Sequence, residues 1–362
     1  MTDHFSAPGI ITMKQYSPVL DMIRIVAMLG VVAVHYSQHF PIPECLAYTF
    51  NMGQNGVQIF FALSAFLACS YFMRTGASMG NYYKRRMQRI LPTYYAAIIF
   101  CIIFFEFINP SPAVQPDMLH LGWSRYFLGL QELLPSNNFQ RWNNCCGFWC
   151  MTSFLVFYAI APFIFLYVTH FKRAVVFLIV CLVLALITRA ISKQISPEAF
   201  DEVRQFFKWS PLFQMQYFAI GILAFIGLKE KKIRLTCIIM GILALAYFKS
   251  AMMFAASVCI IIILFKDARM PIGPKSSTAI KFLSKYSFHV YLAHILALLV
   301  ATYATTRLMG NESSSGYYAC KLGIFISSSI VLVAIYEIVQ RMVDFIVSRY
   351  TMSKQLSSRY DK

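Results

Sequence analysis

Charge is what this sequence has least of: Asp, Glu, Lys and Arg together make up 13% of its 362 residues, about half the share usual in soluble domains. With 59% hydrophobic residues and a mean hydropathy of +0.61, the soluble class is excluded and the chain reads as a polytopic membrane protein. Acidic residues are scarcest, 15 against 32 Lys plus Arg, for a formal net charge of +17. The basic residues are scattered between apolar runs and no long basic domain exists to hold a duplex, so no nucleic-acid partner is expected. Membrane topology and anionic lipid headgroups account for the excess instead. The ten cysteines have no metal-ligand spacing. Cys69, Cys101, Cys181, Cys237 and Cys259 sit in apolar runs as small hydrophobes, and no metal is expected. Residues 1–18 lack a basic start, an apolar stretch and a small-residue cleavage site in sequence, so no cleaved signal peptide is expected. No internal repeat, low-complexity tract or linker divides the chain.

What the sequence has in abundance is apolar runs of spanning length. Runs of this kind predict an all-α bundle of about ten transmembrane helices, near 19–40, 53–73, 91–108, 147–168, 174–191, 211–228, 233–248, 251–266, 286–308 and 318–340. Residues 235–265 are too long for one span and short for two, which requires a tight turn at Lys249 and Ser250. Twenty-two of the Lys and Arg residues fall in every second connecting segment, beginning with 1–18, and nine in the others. By the positive-inside rule both termini are then cytoplasmic. The organisation is a short cytoplasmic segment 1–18, a membrane domain 19–348 and a cytoplasmic tail 349–362.

Inside the first run, Asp21, Arg24, His35 and His39 stand where a span should carry no charge. Arg24 and His35 are eleven residues apart, about 20° from three full helical turns, so they share one face with a rise of about 16 Å between them. On the charge count Arg24 lies near the cytoplasmic face and His35 in the outer half. A plain reading has Arg24 snorkelling to the interface and His35 packed with a hydrogen bond. The other is that both act on something in a cavity, because intramembrane charge costs roughly 2.5–3.5 kcal/mol on insertion scales. Asp21, three residues before Arg24, is placed to pair with it.

Lys84, Arg85, Arg86 and Arg89 crowd into six residues after the second run. Arg86 and Arg89 fall on the same side of a helical turn and suit a bidentate grip on phosphate, unless the cluster is only a topology signal. Ser64 sits among small residues in the second helix, where it can donate a hydrogen bond or simply pack. Tyr291 and His294, at i and i+3, are placed to line the same cavity as Arg24. The aromatics Trp123, Tyr126, Phe127 and Trp142 in the long outer loop read as an interfacial belt or as stacking platforms for a sugar. Cys45 with Cys145 or Cys146 is a candidate outer disulfide.

Together these stretches resemble the integral-membrane acyltransferase 3 family. The matching signatures are Arg24 with His35 (R-X10-H), Phe60-Phe61-Ala62-Leu63-Ser64-Ala65-Phe66 (FFxLSGF), Arg86-Met87-Gln88-Arg89 (RXXR) and Tyr291-Leu292-Ala293-His294 (YLxH). Two positions depart from the pattern. Ala65 stands where the pattern has a glycine, and the stretch Phe148 to Tyr158, which aligns with a family segment that often carries a glutamate (W-x-L-x-x-E-x-x-F-Y), has no carboxylate.

The resemblance implies a membrane O-acyltransferase, most simply an O-acetyltransferase of the cell (inner, cytoplasmic) membrane. Acetyl-CoA or another acyl-CoA would be the co-substrate, and a polysaccharide or glycolipid hydroxyl on the outer side the acceptor. Arg86, Arg89 and Arg24 would hold the donor's phosphates, and His35 would act as base or as acyl-carrying nucleophile. Polysaccharide-assembly proteins or a second copy of the chain are open as further partners, beside the membrane lipids. The competing reading is a multi-pass carrier or flippase for a glycan precursor or small anionic solute, with Arg24, His35 and His294 lining its path.

Overall fold

The computed structural model describes residues 17–110, 120–134, 147–195, 200–267, 273–310, 312 and 315–360. It is 87% helical, with no strand among the described residues. Helix α1, Pro18–His39, opens with proline at a position where its missing N–H costs nothing. It stops because Phe40 precedes Pro41 and is driven into extended backbone, φ −131° and ψ 144°. The segment that follows was expected to be a loop, yet α2 occupies Glu44–Met52 and passes through a 3₁₀ turn, Gly53–Asn55, into α3, Gly56–Thr75.

Gly76, at φ 57°, ends α3, and Ser78 caps α4, Met79–Ile102, by accepting the Asn81 N–H. The basic cluster at 84–89 is therefore helical from the start instead of lying in a loop before a span at 91. Lys, Arg, Met and Gln are good helix formers, and an apolar window cannot see that. A π-helical turn, Ile103–Ile108, closes α4. Helices α5 (Ser124–Phe127), α6 (Trp149–Tyr167), α7 (Phe171–Ile195), α8 (Phe200–Trp209) and α9 (Pro211–Lys229) follow. Then come α10 (Ile233–Ala246), α11 (Ala251–Phe265), α12 (Pro274–Met309) and α13 (Tyr317–Tyr360).

Among the described residues, eight helical stretches are long and apolar enough to cross a membrane, while α10 and α11 have 14 and 15 residues. At 1.5 Å per residue these two reach only about 21–23 Å of a roughly 30 Å hydrocarbon core. They form a hairpin turned at Lys249, φ 60°, with Ser250 capping α11. Helix α12 starts at Pro274, twelve residues before the apolar run at 286, and α13 continues to Tyr360.

Helices α3 and α9 form the centre: 61% and 83% of their apolar windows are buried, against 28% for α7 and 22% for α13 at the rim. Backbone contact sets this packing. A Cβ on Gly221 of α9 would stand 2.0 Å from the Ala62 carbonyl oxygen of α3. One on Gly53 would stand 1.9 Å from the Gly30 oxygen of α1, so α1 lies directly on the turn that starts α3.

Candidate active site

Charge at the first end of α1 is held by a three-part contact. Arg24 Nη1 donates to Asp21 Oδ1 at 2.9 Å, and Ser284 of α12 donates to the same oxygen at 2.6 Å. Arg24 also reaches Ser284 Oγ at 3.4 Å. The carboxylate aims the guanidinium, and both side chains keep some access to solvent, 22% for Arg24 and 15% for Asp21.

That access opens into a cavity of about 690 Å³ enclosed by α1, α3, α4, α6, α12 and α13. Its walls bring Arg24 together with Arg85, Arg86, Arg89 and Lys285. Arg86 lies over the rings of Tyr82 and Tyr158, 5.7 and 5.3 Å from their centroids, and Arg85 lies 4.8 Å over Tyr71. A stacked guanidinium uses its face and leaves its N–H edge for an anion. On the opposite wall Glu337 accepts from Lys285 Nζ at 2.6 Å and Arg341 Nε at 2.8 Å, with His289 Nε2 3.8 Å away. Ser64 lies in the wall with Leu63 and Leu67, where the lining turns apolar.

At the inner end stand Val57, Phe60, Cys150, Met151 and Tyr291. The Tyr291 hydroxyl is 2.9 Å from Cys150 Sγ and donates to the Gly147 carbonyl at 3.3 Å, which ties α12 to the start of α6. His294 was expected in the wall beside Tyr291. It lies behind it instead, 5.7 Å ring to ring and 2% exposed. Three residues along a helix turn 300° and rise about 4.5 Å, which carries His294 one layer beyond the tyrosine. Its Nδ1–H donates to the Tyr291 carbonyl at 2.6 Å. The next ring along is His35, 5.2 Å from His294, with its own Nδ1 2.9 Å from Gln38 Oε1. The order along the path is thus cavity, Tyr291, His294, His35.

A folded part of the long loop supports this inner end. Arg125, fully buried, donates to the carbonyls of Gln131 and Leu134. Gln131 donates to the Phe148 carbonyl at 3.0 Å and to the Tyr94 hydroxyl at 3.1 Å, and Tyr94 donates to the Tyr126 carbonyl at 2.9 Å. Tyr126 is buried and Trp123 donates to Glu106 at 2.7 Å, so these two belong to the loop's packing, and Trp142 lies outside the described residues. Buried polar residues in a loop carry no periodic signal, and sequence reading passed over Arg125, Gln131 and Glu132. In α6, Phe154 packs on Phe61 at 4.7 Å and Phe218 at 5.9 Å and also lines the cavity. It holds the place of the missing glutamate. Cys145 and Cys146 lie outside the described residues, so the disulfide expected with Cys45 does too.

A family model described as an acyltransferase domain, that of acyltransferase 3, matches residues 18–334. The chain belongs to the acyltransferase 3 family. No curated protein and no solved structure matches it. As an acyltransferase 3 member the chain is a membrane acyltransferase, and the match runs from the first residue of α1 into α13, across every helix that lines the cavity. Among the described residues of this acyltransferase, no group of three His, Cys, Asp or Glu is arranged to hold a metal ion.

Proposed function

We propose that this protein is an O-acetyltransferase of the cytoplasmic membrane that takes the acetyl group from cytosolic acetyl-CoA and delivers it to a hydroxyl of a polysaccharide or glycolipid on the outer side. The observation that carries this reading is a cavity with arginines at one end and an apolar inner end at Tyr291, behind which His294 and then His35 follow in line. Nucleotide phosphates sit against Arg86 and Arg89 with Arg24 deeper in, and the uncharged pantetheine arm runs along the apolar wall. The acyl group at the tip of that arm then lies beside Tyr291 and Cys150, which are in direct contact. His35 then takes the proton of the acceptor hydroxyl, which attacks the thioester carbonyl, or it carries the acyl group itself and passes it on. In the first route the C–S bond breaks as the ester C–O bond forms, and the His35 imidazolium gives its proton to the departing sulfur. In the second the C–S bond breaks as a C–N bond to His35 forms, that bond breaks when the acceptor oxygen attacks, and the hydroxyl proton is taken up by the CoA thiolate.

Sealed vesicles of known orientation test this, with acetyl-CoA and a membrane-impermeant saccharide placed on chosen sides. Acetylated product is expected only when donor is on the side of the 76–89 segment and acceptor on the other. Product formed only with both on one side overturns the cross-membrane route, and solute uptake without acylated product overturns the enzyme in favour of a carrier.

A further inference from the structure

Both roles proposed for His35 need one ring nitrogen bare and the other protonated, and a neutral imidazole does not choose between its tautomers unaided. We propose that Gln38 is the positioning residue that makes this choice, holding His35 with its proton on Nδ1 so that Nε2 is the working nitrogen. The inference rests on the acyl-transfer reading.

Gln38 follows His35 by three residues in α1, which brings the two side chains alongside each other. Its Oε1 is 2.9 Å from Nδ1, and an amide oxygen only accepts, so Nδ1 must carry the hydrogen. This end of α1 is firmly placed. Tyr36 stacks on Phe40 at 4.3 Å, and Lys321 of α13 donates to the His39 carbonyl at 2.8 Å. Across from it, His294 is fixed in the same tautomer by the Tyr291 carbonyl and keeps a buried Nε2. A backbone oxygen thus does for His294 what a side chain does for His35, and only the second can be removed by substitution. The titratable groups around His35 are His294 from α12 and His39 one turn on, with Lys321 behind His39.

The test measures label passing from radiolabelled acetyl-CoA into the saccharide fraction of native membranes carrying wild type, Gln38→Leu, Gln38→Glu or His35→Ala. Gln38→Leu is expected to lower turnover at saturating donor about tenfold, as partners that orient a working histidine do, with the KM for acetyl-CoA unchanged. Gln38→Glu keeps an acceptor and should retain turnover. Its carboxylate stabilises the imidazolium, so the acid limb of the pH–rate profile moves up by about one unit. Gln38 is exposed, so folded yield should not change in either variant. Wild-type turnover and profile in Gln38→Leu overturn the inference, as does a Gln38→Glu profile that stays in place. A wild type that labels no saccharide defeats the acyl-transfer reading itself, whereas an active His35→Ala leaves that reading standing and overturns the role of His35 and the inference with it. An inactive His35→Ala beside an unaffected Gln38→Leu defeats only the role of Gln38.

Discussion

The two ends of α1 are built on opposite principles. Around Arg24 the bundle is open, and five cations share a cavity of about 690 Å³ with carboxylates and stacked rings. Around His35 it is tight, and two imidazoles 5.2 Å apart are each tied through one nitrogen to an oxygen of their own helix. Eleven residues of a single helix separate them. On the proposed function this difference divides affinity from chemistry in space, so substitutions at the two ends should separate donor binding from turnover.

The largest effect is expected where the division itself is destroyed. Gly53→Ala puts a methyl group 1.9 Å from the Gly30 oxygen, a clash of backbone on backbone that no rotamer relieves. Folded, monodisperse protein should be lost on size exclusion in detergent, and normal yield would show that α1 can shift on the turn before α3. His35→Ala comes next: the fold stays, donor affinity stays, and turnover falls about 100-fold or more, the usual contribution of a general base or nucleophile. Steady-state transfer together with equilibrium binding of acetyl-CoA checks it, and weakened binding would mean the two ends are not independent. Arg86→Ala and Arg89→Ala should do the reverse. A charge-assisted hydrogen bond contributes about 1.5–3 kcal/mol before solvent screening, so each variant weakens donor binding about tenfold with little change in saturated turnover. Unchanged affinity in both would reduce the cluster to a topology signal.

The helices that carry this division were legible from apolar run length, and the shared face of Arg24 and His35 from the 100° step. Their surroundings were not. Ser284 reaches Asp21 across 263 residues, a distance over which periodicity says nothing. The early starts of α4 and α12 were missed because Ser78 and Pro274 act as start signals in polar sequence ahead of the apolar run. The loop's aromatics read as a belt or as sugar platforms because the hydrogen bonds that fold residues 120–134, from Arg125 and Gln131, leave no repeat in the sequence. The motif residues, by contrast, fall on four different helices, and the fold brings Arg24, Ser64, Arg86, Arg89 and Tyr291 to one cavity with His294 and His35 behind it.

The inner end has an electrical meaning. Tyr291, Cys150 and the Gly147 carbonyl stand between the basic cavity and the histidines, so the arginines gather anions on the near side of that contact. A charge driven through a membrane gains or loses roughly 2.3 kcal/mol per 100 mV. On the proposed route the acyl group leaves a thiolate behind and displaces a proton from the acceptor hydroxyl. The transfer therefore moves no net charge only when that proton returns to the sulfur by way of the histidines, and it works with or against the potential when the proton is lost to the acceptor's side.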